Sequence, residues 1–221
     1  MNSTSARRAG LVAAGLVTGL LVSAAPAMAA NPAGVASLGF ADFTKGGQRV
    51  SLAPQAPCAV EGPTTASAPA ANNQSGLKFG GGTTTCTTKV INPDDEITET
   101  TSEANGKTFE LSALMSAGGP RLKIGSWKAT CIGKQNGTNA GWQLGGLSGF
   151  TGLPSQIPPN YLHQVKKSNG EVLADVTFSE VILPEPNDGS VAINAVHFRF
   201  KPASNITGEI VLGAAACSPT P

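Results

Sequence analysis

Side chains able to do chemistry are few in this chain and widely spread. Histidine occurs only at His163 and His197, too few and too far apart to build a histidine-based metal site between them. Strand alternation places His197 on a polar face with Thr177, Arg199 and Asp175, the surroundings in which a carboxylate holds an imidazole as a general base. The same four residues equally make a hydrogen-bonded patch on a strand surface. Glu171, Asp175 and Glu180 could supply the two carboxylates of a glycosidase, because separation in space decides that chemistry. With 14 acids in the chain, such a grouping needs no catalytic explanation. Asp94-Asp95-Glu96 follows Asn92-Pro93 without the ligand spacing of a calcium loop and reads as a solvated turn. No GxSxG nucleophile elbow occurs, and Gly80-Gly81-Gly82 and Gly145-Gly146 do not open helices that would cradle phosphate. The expectation is a protein with no catalytic residue, no metal and no cofactor.

Recognition is the remaining use for a side chain, and aromatic residues are its usual instruments. Trp127, Trp142 and Tyr161 are the candidates. Trp127 shares a strand face with Cys131 and is expected in the core. Trp142 lies in the polar, glycine-rich stretch from Asn139 to Gly146 and divides between core edge and binding surface; it is the candidate binding residue. A glycan-directed site would set it beside a carboxylate such as Asp175 or Glu180.

The elements that must carry these residues begin after a leader. Arg7 and Arg8 precede an apolar run from Leu11 to Ala25, then Pro26 and the small-residue site Ala27-Met28-Ala29, so residues 1–29 read as a secretory signal peptide. Residues 30–221 are expected to form a single all-β domain, with a flexible loop at 63–75 and no membrane span. The formal net charge of +1 depends on the two leader arginines, and charged residues are only 13% of the chain. No basic field is available for nucleic acid.

Four cysteines, Cys58, Cys86, Cys131 and Cys217, form an even set in an exported chain, which argues for two disulfides; their wide spacing argues against zinc. Three pairings are possible. The favoured one joins Cys58 to Cys86, across the loop, and Cys131 to Cys217, each of which ends an apolar run.

After Ala30 the chain lacks helical periodicity and repeats short Thr, Val, Ile and Phe runs between Gly, Pro, Asn and Asp. Strands are expected at 34–43, 83–91, 95–101, 107–115, 121–132, 141–144, 171–183, 190–201 and 207–216, giving an antiparallel β-sandwich of jelly-roll or Greek-key type. One hairpin can be read to the residue. The turn from Pro184 to Gly189 joins two runs whose alternation changes phase near Glu180 and near Asn194. Setting these breaks opposite each other pairs Ala174, Val176 and Phe178 with Phe200, Phe198 and Val196, and Asp175 with Arg199 and Thr177 with His197. Beyond the break Val181, Leu183, Val191 and Ile193 point the other way, as a bulge or a crossing between cores would require.

The run Val191-Ala192-Ile193-Asn194-Ala195-Val196-His197-Phe198, followed by Glu209-Ile210-Val211-Leu212-Gly213-Ala214-Ala215, resembles the closing strands of the choice-of-anchor P family of secreted bacterial proteins. The strand from Leu173 to Leu183 and the segment from Ile124 to Gly146 fit the same layout, so the resemblance covers about the last 100 residues. It implies an extracellular or envelope-associated β domain of high-GC Gram-positive bacteria and carries over no catalytic residue. No sorting motif or apolar tail is read from Ala214 to Pro221, so release or loose retention at the wall is expected. The partner would be a cell-wall glycan or a surface protein. Two functions follow: a non-enzymatic recognition or structural module, or a glycan-binding module or weak glycan hydrolase.

Overall fold

The structure, a computed structural model, describes residues 33–73 and 75–220; the expected leader lies outside them. In chain order the strands are β1 (Val35–Lys45), β2 (Gln48–Leu52), β3 (Cys58–Ala59), β4 (Thr65–Ala68), β5 (Ala71–Asn73), β6 (Leu77–Phe79), β7 (Gly82–Asn92), β8 (Ile97–Leu111), β9 (Leu122–Lys134), β10 (Gly137–Gly145), β11 (Tyr161–Lys166), β12 (Val172–Ile182), β13 (Val191–Phe200) and β14 (Ile206–Cys217). They form the expected all-β antiparallel sandwich. One sheet runs β11-β12-β13-β14-β1-β2, with β3 also on β1; the other runs β10-β9-β8, then β6 and β7 end to end along β8, then β5 and β4 along those.

Most pairings join strands adjacent in sequence; β1 with β3, β4 with β7 and β6 with β8 skip one or two strands, and β1 with β14 joins the two ends of the described chain. Most connections are short hairpins that carry the chain around the two layers. Within each strand alternate residues turn inward, and Phe43, Phe79, Phe109, Trp127, Phe178 and Phe198 fill the space between the layers. Burying these large apolar faces is the main drive for the two layers to associate.

Two expected boundaries change. The stretch 63–75 is not a flexible loop: it holds β4, paired to β7, and β5, paired to β6. Its Ala, Ser, Thr and Pro content hides the strand, but Thr65 faces Thr85 and the Cys86 N–H donates to the Thr64 carbonyl at 2.7 Å. The runs at 95–101 and 107–115 are one strand, β8, ending at Leu111. Gly106, between those two runs, makes room for Trp127, because a Cβ there would lie 2.0 Å from the indole ring.

The β12–β13 hairpin has the register read from sequence, from Ala174↔Phe200 to Thr177↔His197 and on to Glu180↔Asn194. Its phase change is a crease, not a bulge, since pairing resumes with no residue added. The crease crosses four strands: Ser179 and Ala195 are skipped between β12 and β13, Ala195 and Gly213 between β13 and β14, Gly213 and Leu38 between β14 and β1. Ser179 (φ 51°) and Gly213 (φ 61°) take the left-handed conformation that turns the next residue to the opposite face. Val181, Val191 and Ile193 face the core as expected, whereas Leu183 has left the strand and is exposed.

Both disulfides have the favoured pairing, Cys58–Cys86 and Cys131–Cys217. Each joins one sheet to the other, β3 to β7 and β9 to β14. The second pair does not link neighbouring strands of one sheet; its strands face each other across the core.

Candidate functional site

Two regions gather the residues singled out above. The first is a charged cluster on the outer face of β12, β13 and β14. His197, only 7% exposed, has Nδ1 at 2.7 Å from Glu180 Oε2 and Nε2 at 2.8 Å from Glu209 Oε2. Arg199 donates to Glu180 and, at 3.3 Å, to the Thr177 hydroxyl, and Asn194 Nδ2 donates to Glu180 Oε2 at 2.8 Å.

The acid expected beside His197 was Asp175; the structure puts Asp175 on Lys201, at 2.6 Å, and Glu180 on the imidazole. The crease is the reason. Simple alternation would send Glu180 inward after Phe178, and the turn of backbone at Ser179 brings it outward instead. Glu209 was not anticipated as a partner, because only the β13–β14 register, Arg199↔Glu209, sets it diagonal to His197.

Burial by itself would raise the Glu180 pKa, but hydrogen bonds from His197, Arg199 and Asn194 outweigh it and hold the carboxyl at about 2. Each imidazole nitrogen lies within hydrogen-bond distance of a carboxylate oxygen, Glu180 on one side and Glu209 on the other. Both nitrogens are then engaged and neither is offered to a substrate. Glu171 stands apart from this group and pairs with Lys167. Asp94 and Asp95 are tied to Asn92, whose side chain donates to Asp95 at 2.6 Å and accepts from the Asp94 N–H at 3.0 Å, as in a turn that satisfies itself.

The second region is the seam where the chain passes from β10 to β11. At the opposite seam the sheets are joined by the Cys58–Cys86 disulfide, and beside it the chain turns from one sheet to the other with the Ala59 N–H donating to the Pro63 carbonyl at 3.0 Å. At the β10–β11 seam the gap is filled by the segment 146–160, through Leu147, Phe150, Leu153 and Ile157. Trp142 faces inward from β10, half-buried, since its pairing partner Ala129 is a core residue. With Leu144, Phe150, Leu153 and Ile157 it lines a groove of about 570 Å³ whose polar lining includes Gln143 and Ser155. No Asp or Glu lines this groove, so Trp142 does not sit beside Asp175 or Glu180, which project from the outer face of β12. Tyr161, opposite Phe178, is also half-buried and packs on the core.

Trp127 is in the core, edge-on to Phe79 with ring centroids 5.7 Å apart, and its indole N–H donates to the Leu38 carbonyl at 3.2 Å. That carbonyl belongs to a residue the crease leaves out of the ladder.

Searches against protein-family models, curated proteins and solved structures find no match. Among the described residues no helix is long and apolar enough to cross a membrane, and no group of three or more His, Cys, Asp or Glu is placed to hold a metal ion.

Proposed function

We propose that this chain is a secreted or envelope-associated recognition module that works by binding rather than catalysis, with the Trp142 groove as its contact. The groove carries the reading: a half-buried indole among aliphatic side chains, with neutral amide and hydroxyl groups at hand, is the composition of a binding cleft. The engaged state of His197 supports it, as do two disulfides that fix one sheet on the other, a feature compatible with an oxidising, extracellular setting. The resemblance of β12 to β14 to envelope proteins points the same way. A cell-wall glycan is the ligand class favoured, because an aromatic face beside Gln143 and Ser155 offers stacking together with hydrogen bonds to sugar hydroxyls.

The test is retention of the mature, oxidised chain on purified cell-wall polysaccharide, alongside Trp142→Ala. Retention by the native chain and a loss of roughly tenfold in the variant is the expected result, a drop of about 1.4 kcal/mol. No retention on any wall fraction would overturn both wall association and glycan binding. Equal retention of the two proteins would remove Trp142 from the contact.

A further inference from the structure

We propose that the free edge of β11 takes up an extended acidic peptide of a partner protein as an added strand. β11 ends its sheet, with β12 on one side only. The Lys201 N–H donates to the Leu173 carbonyl at 2.9 Å, so Asp175 and Thr177 bond β13 and leave Ala174, Val176 and Phe178 to bond β11, where they face Val165, His163 and Tyr161. In an antiparallel ladder bonded and non-bonded pairs alternate, so Tyr161, His163 and Val165 exchange their bonds with β12 while Leu162 and Gln164 turn their N–H and C=O groups away from it.

Those groups open onto a trench of about 690 Å³ between β11 and a far wall that includes Gly118, Gly119, Pro120 and Gly149. Side chains are nearly absent from that wall; at Gly118 an added Cβ would come no closer to anything than 3.9 Å. A row of outward backbone donors and acceptors facing an open trench matches one chemistry above others, the backbone of a second strand.

The side chains set the sequence such a strand should have. Leu162, 53% exposed, and the exposed Gln164 and Lys166 follow one another on the outer face of β11. Lys166 is the one lysine, arginine or acid lining the trench. Burial and the neighbouring Lys166 charge lower the His163 pKa, so His163 is neutral at pH 7 and leaves Lys166 to fix the sign. An antiparallel guest would therefore carry an acid opposite Lys166 and an apolar residue opposite Leu162, four positions nearer its C-terminus. This inference is independent of what the Trp142 groove holds.

The experiment titrates the oxidised, ¹⁵N-labelled mature chain with the blocked heptapeptide Thr-Asp-Thr-Val-Thr-Val-Thr. The amides of Leu162 and Gln164 should shift and exchange at least about tenfold more slowly with solvent. A Lys in place of the peptide's Asp should weaken binding about fivefold or more, and Lys166→Glu, an exposed change, should reverse that preference. The peptide N-methylated at alternate residues should not bind, and Trp142→Ala should bind like the native chain. Unmoved Leu162 and Gln164 amides at millimolar peptide, equal binding of the N-methylated peptide, or shifts confined to the Trp142 groove would each overturn the proposal.

Discussion

At the scale of single residues the most constrained group is Glu180. Its carboxyl sits at about 2 in the folded chain, below the ordinary 4.5, so its bonds to His197, Arg199 and Asn194 stabilise the fold above the unfolded value and are lost as pH falls toward the folded one. Allowing for water on one side of the cluster, the contribution is on the order of 2 kcal/mol at neutral pH. Glu180→Gln should therefore lower the urea midpoint at pH 7, and the gap from the native chain should narrow when both are measured near pH 3. A gap of the same size at both pH values would count against the charge as the stabilising feature. Reading His197 onto a polar face with Thr177 and Arg199 needed only alternation. Naming its acid needed more: one serine in a left-handed conformation swaps Asp175 for Glu180, and serine has no residue signature for that state.

At the scale of elements the crease decides which faces the strands present. Gly213 is its tightest point: an added Cβ would lie 2.7 Å from Trp127 Cδ1 and 3.1 Å from the Ala195 Cβ, at a φ of 61°. Gly213→Ala should destabilise the protein by about 2 to 4 kcal/mol, read as a lower thermal midpoint. Gly141→Ala, where nothing lies within 4 Å, should change it little. Trp127→Phe strands the Leu38 carbonyl, buried and outside the ladder, and should cost about 1 to 3 kcal/mol beyond the lost ring volume. The hairpin of β12 and β13 was legible to its register because both of its strands alternate strongly around a plain turn. The short edge strands were not. β4 and β5 have little apolar content, and β11, Tyr-Leu-His-Gln-Val-Lys, alternates but follows a long glycine- and proline-rich stretch that reads as loop.

At the scale of the whole molecule two cross-links hold the layers. The Cys131–Cys217 link spans 86 residues and Cys58–Cys86 spans 28. By chain entropy their removal should cost about 4.6 and about 3.6 kcal/mol, so Cys131→Ala/Cys217→Ala should unfold at lower denaturant than Cys58→Ala/Cys86→Ala. The reverse order would mean that native packing around the sulfurs outweighs the unfolded chain. Both pairings were favoured among the three possible because an even count in a chain read as exported, the loop expected between Cys58 and Cys86 and the apolar runs ending at Cys131 and Cys217 pointed to them. That the links run between layers was not readable, since the strand order emerges only once every pairing is known.

The two side openings of the sandwich are not equivalent. One is bound shut by a covalent link, while the other is closed without one, by the packing of 146–160 and its backbone hydrogen bonds to Lys123, Gly125 and Ser179. Thermal breathing of the layers is thereby given a direction, like a book that parts only at its fore-edge. Backbone amides along β10 and β11 should exchange with solvent sooner than those of β3 and its neighbour β1, and a guest lodged between β10 and β11 would slow that opening for the protein as a whole.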